Sequence, residues 1–224
     1  MQILALEFSS PQRSVAVLSA DADGNVAATG EAVEAARGHT MKPFALIASA
    51  LRQAGLEREQ IEGIAVGIGP GSYTGIRAAI ALAQGWQLAR GVKLLGLSSA
   101  EALGVQAGNE FSTAAGGNFS VVIDAQREEF YLADYEFGAD GWKLTGPLRL
   151  ATLAEVRERE LAGRRLVGPE VVRWFPSGQL MFPRAETLAR LALGRRDFVA
   201  GGQLEPIYLR ETSFVKAPPA RSIL

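Results

Sequence analysis

No cysteine occurs among the 224 residues. Disulfides, thiolate zinc sites and a cysteine nucleophile are therefore excluded. Histidine is nearly as scarce, with one residue, His39; a lone histidine cannot make a two-histidine metal site. Just before a helix, as here, it reads as a surface or capping residue. Neither sign of charge is in excess: the formal net charge is -1, with a pI near 6.0. That argues against a chain that binds nucleic acid by itself, because neutralising several phosphates needs a basic face. A local basic patch stays open. Long apolar runs are also missing. The segment around Ile80 comes closest to the roughly 20 residues of a membrane span, but Arg77, Gln84, Gln87 and Arg90 interrupt it. Met1-Gln2-Ile3 enters a strand with no basic leader before it, so a soluble, cytoplasmic protein is expected.

What is present is a globular composition, 48% apolar, which excludes a disordered chain. Ile3 to Phe8, Ser14 to Ala20 and Asn25 to Val33 read as an antiparallel meander. A helix from about Thr40 to Ala54 stops at Gly55-Leu56, a Schellman pattern. Ile61 to Glu101 then reads strand, glycine-rich turn, helix, strand, and Ser98-x-x-Glu101 caps a further short helix. The second half repeats the scheme. Its strands are Ser120 to Asp124, Glu128 to Glu136 and Trp142 to Leu150. Thr152 caps a helix to about Leu161, Arg165 to Val167 is a strand, and a last helix ends before Gly194. The order implies an α/β chain of two duplicated βββαβα subdomains, 1–103 and 104–224, with Gly104 to Asn118 as hinge. The tail 204–224 is apolar enough around Ile207 and Tyr208 to dock back on the first subdomain.

The turn Gly67-Ile68-Gly69-Pro70-Gly71-Ser72-Tyr73-Thr74-Gly75 invites a phosphate-loop reading and fails it. Ser72 stands where a dinucleotide fingerprint needs glycine, and no lysine between Lys42 and Lys93 can serve a Walker A loop. A tight turn starting a helix is preferred, with Ser72 or Thr74 as cap; weak anion binding at its N–H groups is the alternative. As a nucleophile Ser72 lacks its elbow, because Pro70 replaces the first glycine. Glu7 and Asp124 end the first strand of each half. They are candidate cleft carboxylates, able to hold a metal–nucleotide complex or simply hydrogen-bonded in place. The Glu/Arg alternation from Glu155 to Arg165 is a solvated helix face.

The helix after the turn is apolar nearly all round. Ile76, Ala79, Ile80, Ala83 and Trp86 lie on one broad face, and Ala81, Gly85 and Ala89 extend it around the back. Such a helix needs cover on two sides. The Thr40–Ala54 helix, with Phe44 and Ile47 on its stripe, has apolar surface to spare as well. The pair is therefore expected to form a protein–protein interface through Phe44, Ile47, Ile76, Ala79, Ile80, Ala83 and Trp86.

The block Gly69-Pro70-Gly71-Ser72-Tyr73-Thr74-Gly75-Ile76-Arg77, with Gly96-Leu97-Ser98-Ser99-Ala100-Glu101, resembles the TsaB (YeaZ) family of bacterial tRNA threonylcarbamoyladenosine biosynthesis proteins. Ile3 to Ser9, Gly38-His39-Thr40, Val122 to Arg127 and Pro206 to Arg210 carry the resemblance along the chain. It implies an actin-like, hexokinase-like (ASKHA, ribonuclease H-like) fold. It also implies a non-catalytic scaffold or activator of TsaD, the paralogous transferase subunit, with no cofactor of its own. The H-x-x-x-H metal motif of TsaD would fall on Ser99 and Leu103, which carry no imidazole. Glu7 departs from the family's usual aspartate. The resemblance further implies a homodimer when alone, the ATPase TsaE in the same assembly, tRNA reached only through the complex, and contact through the two first-subdomain helices. The alternative is an ASKHA-type kinase or ATPase using Glu7 and Asp124. A protease is a third reading, and no nucleophile–base set supports it.

Overall fold

A computed structural model describes residues 1–21, 23–35, 42–111, 117–138 and 141–209; His39 and Thr40 lie outside them. The first half holds strands β1 (Gln2–Glu7), β2 (Gln12–Ala20), β3 (Val26–Ala35), β4 (Gly63–Gly67) and β5 (Lys93–Leu97), with helices α1 (Pro43–Ala54), α2 (Tyr73–Arg90) and α3 (Ser99–Phe111). The second half holds β6 (Phe119–Asp124), β7 (Glu129–Gly138), β8 (Gly141–Thr152), β9 (Arg165–Gly168) and β10 (Gln179–Leu180), with α4 (Leu153–Leu161), α5 (Val171–Trp174) and α6 (Ala185–Leu193).

The two sheets have the same topology. The first runs β3-β2-β1-β4-β5 and the second, read the same way, β8-β7-β6-β9-β10. In both, an antiparallel meander is joined on its first strand to parallel strands reached by helical crossovers. This is a duplicated α/β architecture. α5 and β10 are too short to leave a periodic signal, and they complete the second copy of the scheme.

β1 is apolar on both faces because both are covered. Leu4, Leu6, Val15, Val17, Ile64 and Val66 pack under α1 and α2. Ile3, Ala5, Ala16, Leu18 and Leu95 face the other way, onto Leu188, Ala189 and Ala192 of α6. The second sheet is treated alike: Leu103, Ala107 and Phe111 of α3 cover Phe119, Val121 and Tyr135, while Val156 of α4 and Val171 of α5 take the opposite face. Each half thus sends its last helix across to the other half's sheet. The segment expected as a hinge is therefore helix as far as Phe111. Gly104 has the Tyr135 ring against it, where a Cβ would come within 2.4 Å.

The local stop and start signals act as the residues require. Gly55, at φ 65°, closes a Schellman motif with the Leu56 amide donating to the Leu51 carbonyl at 3.1 Å. Thr152 and Glu155 form a reciprocal capping box.

Candidate functional site

The glycine-rich turn is welded to the β1–β2 loop. Glycine at 71 and 75 is required by close approach: a Cβ there would lie 2.2 Å from the Ser9 carbonyl oxygen and 2.0 Å from that of Phe8. The Ser72 amide donates to the Ser9 oxygen at 2.6 Å, and Ser72 Oγ accepts from the Gly75 amide at 3.3 Å as N-cap of α2. Gly69, at φ 93°, precedes Pro70 through a cis peptide, and its carbonyl accepts from the Ser99 amide at 2.8 Å. The amides of Ser72 and Gly75 are thus spent on protein. Thr74 is exposed on the first turn, and the Arg77 guanidinium lies 4.8 Å above the Tyr73 ring.

The two candidate carboxylates separate. Glu7 is fully buried and does not reach the cleft between the halves. Its Oε1 accepts from the Ser9 amide at 2.7 Å and its Oε2 from Ser99 Oγ at 2.8 Å. Gly67 lies so close that a Cβ there would sit 2.2 Å from Oε2. Burial raises the Glu7 pKa against the lowering effect of these hydrogen bonds. Glu7 locks β1, β4 and the start of α3 together; the expectation of a cleft carboxylate at this position is corrected, because Ser9, Gly67 and Ser99 seal it, and the alternative, a carboxylate hydrogen-bonded in place, is what the structure has.

Asp124 does line the cleft, a cavity of about 540 Å³ between the halves. It accepts from the Gln126 amide at 2.7 Å and from Trp174 Nε1 at 3.3 Å, with the Arg173 guanidinium at 4.0 Å. Glu170, which sequence reasoning missed, lines the same cavity. Burial first, then the charge of Asp124, push its carboxyl up to about 7. Arg13, Tyr73 and Tyr208 are among the other residues of its walls; the two tyrosine rings stack at 5.8 Å. Among the described residues no group of three or more His, Asp or Glu side chains is placed to hold a metal ion.

A second feature lies on the outer face of the first half. α1 and α2 flank an apolar groove of about 730 Å³ whose walls include Phe44, Ala48, Leu82, Gly85 and Trp86. Phe44 is 72% exposed and Leu88 89%. Ile47 is buried and forms part of the groove's lining. Ile76, Ala79 and Ala83, expected on an interface, are instead buried against the sheet with Ile80. The reason is rotational: the sheet claims the Ile76–Ala79–Ala83 face, so the outward face passes through Ala81, Gly85 and Ala89. No helix among the described residues is long and apolar enough to cross a membrane.

Residues 33–202 match the profile of the TsaD family, described as tRNA N6-adenosine threonylcarbamoyltransferase. The chain belongs to this family. Its end-to-end relatives carry the name tRNA threonylcarbamoyladenosine biosynthesis protein TsaB. The Escherichia coli protein is 28% identical over 99% of this chain and 100% of its own length. The Haemophilus influenzae protein is 24% identical over 99% and 98% respectively. A solved structure, YeaZ from Pseudomonas aeruginosa, superposes with a TM-score of 0.69 at 25% identity, covering 93% of this chain and 99% of that one. Ser99 and Leu103, onto which the resemblance implies that the metal motif of TsaD would fall, are both fully buried. Ser99 is spent on Glu7.

Proposed function

We propose that this chain is a cytoplasmic, non-catalytic subunit in tRNA threonylcarbamoyladenosine biosynthesis, docking a TsaD-like catalytic subunit through the α1–α2 face. The groove carries the reading. An exposed phenylalanine beside a small-residue helix strip is what a partner's helices can pack against at about 8–10 Å, and apolar patches of this kind are the usual core of an interface. The same face pairs two copies of the chain when the catalytic subunit is absent. A TsaE-like ATPase joins the assembly, and tRNA is reached through it; the near-neutral net charge of -1 accords with that. The names of the relatives and the missing imidazoles at Ser99 and Leu103 support an accessory role. An ATPase built on Glu7 and Asp124 loses its support, since Glu7 is sealed in the core.

The test is co-purification with a TsaD-like, H-x-x-x-H-bearing protein of the same cell, with threonylcarbamoyl-adenosine on tRNA as readout. A Cβ at Gly85 meets nothing within 4 Å, so Gly85→Arg leaves the fold intact. It is expected to lower co-elution and product by at least about tenfold, a loss of 1.4 kcal/mol or more in binding. Unchanged co-elution with normal product would sink the assignment.

A further inference from the structure

The polar interruptions of α2 are spent on the C-terminal part of the chain. Gln84 Nε2 donates to the Gly201 carbonyl at 2.8 Å, and the Gly201 amide donates to Gln87 Oε1 at 2.6 Å. Glycine is required at 201, since a Cβ there would lie 2.8 Å from that same Gln87 oxygen. These bonds lay the segment from Gly201 to Tyr208 alongside α2 as a strap. Leu204 is buried in the first core, and the Ile207 amide is held by the Ile68 carbonyl. Tyr208 is stacked on Tyr73 and hydrogen-bonded by Arg77. α2 therefore has α1 on one flank and the strap on the other.

Between α2 and the strap lies a second groove, of about 550 Å³. Arg77, Ile80, Ala81 and Gln84 wall it on the helix side, Glu205 and Tyr208 on the strap side. Ala81 also walls the outer α1–α2 groove, so the two grooves adjoin over one small residue. At about 3.6 residues per turn, Arg77, Ala81, Gly85 and Leu88 form one exposed line, the ridge between the grooves. Alanine and glycine in the middle of that line let a partner's backbone come close on either side. Arg77 and Glu205 are both exposed, and neither is in an ion pair among the described residues.

We propose that the docking face is double: the TsaD-like subunit straddles α2, with one segment in the α1–α2 groove and a second in the strap groove. The second segment carries a carboxylate opposite Arg77 and a cation opposite Glu205, with small apolar residues over Ala81. Continuity is the reason for assigning both grooves to one partner, since a chain seated over Ala81 and Gly85 overlies the lip of each. The inference rests on the α1–α2 docking reading and adds the strap to it. A segment that belongs to the second half in chain order thereby becomes part of a surface on the first.

The experiment measures binding of the full chain to the TsaD-like, H-x-x-x-H-bearing protein of the same cell by biolayer interferometry. Analytical ultracentrifugation follows self-association of the chain alone. Gly202 is exposed in the strap groove, and a Cβ there meets nothing within 4 Å. Gly202→Arg thus fills the groove without disturbing the fold, which circular dichroism checks. It should raise the Kd by at least about tenfold, as Gly85→Arg does. Arg77→Glu and Glu205→Lys should each slow association at about 0.1 M salt and do so far less at about 1 M. If Gly85→Arg weakens binding and Gly202→Arg does not, the strap inference is overturned and the α1–α2 reading stands. If neither variant weakens it, both fall. If Gly202→Arg loosens only the pairing of two copies of this chain, the strap groove belongs to the homodimer and the inference is overturned. Should Gly202→Arg misfold, the charge variants decide, and unchanged association rates at low salt overturn it.

Discussion

At the scale of single residues, burial decides what each side chain can do. Ala79 and Ala81 are two positions apart on one helix, yet Ala79 is completely buried and Ala81 lies in the groove wall. Ala79→Arg forces an unpaired charge into the core and should cost more than about 3 kcal/mol; urea denaturation should show a lost or much lowered midpoint. Ala81→Arg should leave that midpoint within about 0.5 kcal/mol and lower only partner binding. Glu170 gives a pH test with a defined sign. Its folded pKa is raised from the ordinary 4.5 to about 7, so the folded chain holds the proton more tightly than the unfolded one between those values. Stability therefore falls as pH rises through that window, and the penalty persists above it. Glu170→Gln removes the penalty: thermal melts should coincide with wild type at about pH 4 and exceed it at about pH 8. A variant no more stable than wild type on the alkaline side would contradict the burial of this carboxyl. Glu7, also raised by burial, leaves a residual slope of the same sign in both proteins.

At the scale of elements, the β6–β7 turn stands apart. Gln126, Arg127 and Glu128 have φ of 65°, 59° and 60°, a left-handed run without a glycine. Each such residue costs roughly 1 kcal/mol or more. The turn is held by the Ala125 amide donating to the Glu129 carbonyl at 2.9 Å and by Asp124 accepting from the Gln126 amide. Arg127 is exposed, so Arg127→Gly should raise stability by about 1 kcal/mol, read as a higher denaturant midpoint at unchanged slope; a lower midpoint would contradict the left-handed geometry. The strand pattern places a turn at Gln126-Arg127, but nothing in the amino-acid string announces its left-handed backbone, because Gln, Arg and Glu are ordinary residues whose conformation is dictated by the strands on either side. The α2 N-terminus is the opposite case. Ser72 caps the helix for a local reason, and Gly71 and Gly75 show in their types that something must approach closely there, although the Ser9 and Phe8 carbonyls that do so are distant in the chain.

At the scale of the whole molecule, the exchange of last helices makes the halves one cooperative body. α6 supplies Leu188, Ala189 and Ala192 to the first sheet, its N-terminus is tied to Ser14 through the Ala185 amide at 2.8 Å, and Arg184 pairs with Glu31 of β3. The tail contributes as well: Leu204 enters the first core, and the Ile207 amide donates to the Ile68 carbonyl at 2.9 Å. Leu188→Ala should cost about 3 kcal/mol and should lower the unfolding midpoint reported by Trp86 in the first half as much as that reported by Trp174 in the second. A shift confined to one probe would show that the halves unfold separately.

The sequence by itself determined the elements of the two sheets apart from β10, the helices α1, α2, α4 and α6 with their stops, the start but not the length of α3, and the duplicated order, because periodicity, capping and turn chemistry are local. It also carried the family resemblance, in an unbroken block around the turn. Only the tertiary structure decided which faces are buried. α2 reads as apolar all round, and a one-dimensional pattern cannot say which side the sheet takes; hence Ala79 and Ala83 belong to the core and Gly85 to the outer groove. Likewise Glu7 and Asp124 occupy equivalent strand ends in sequence. One is sealed because Gly67 and Ser99 close over it and the other opens on the cleft, a difference made by neighbours that are distant in the chain.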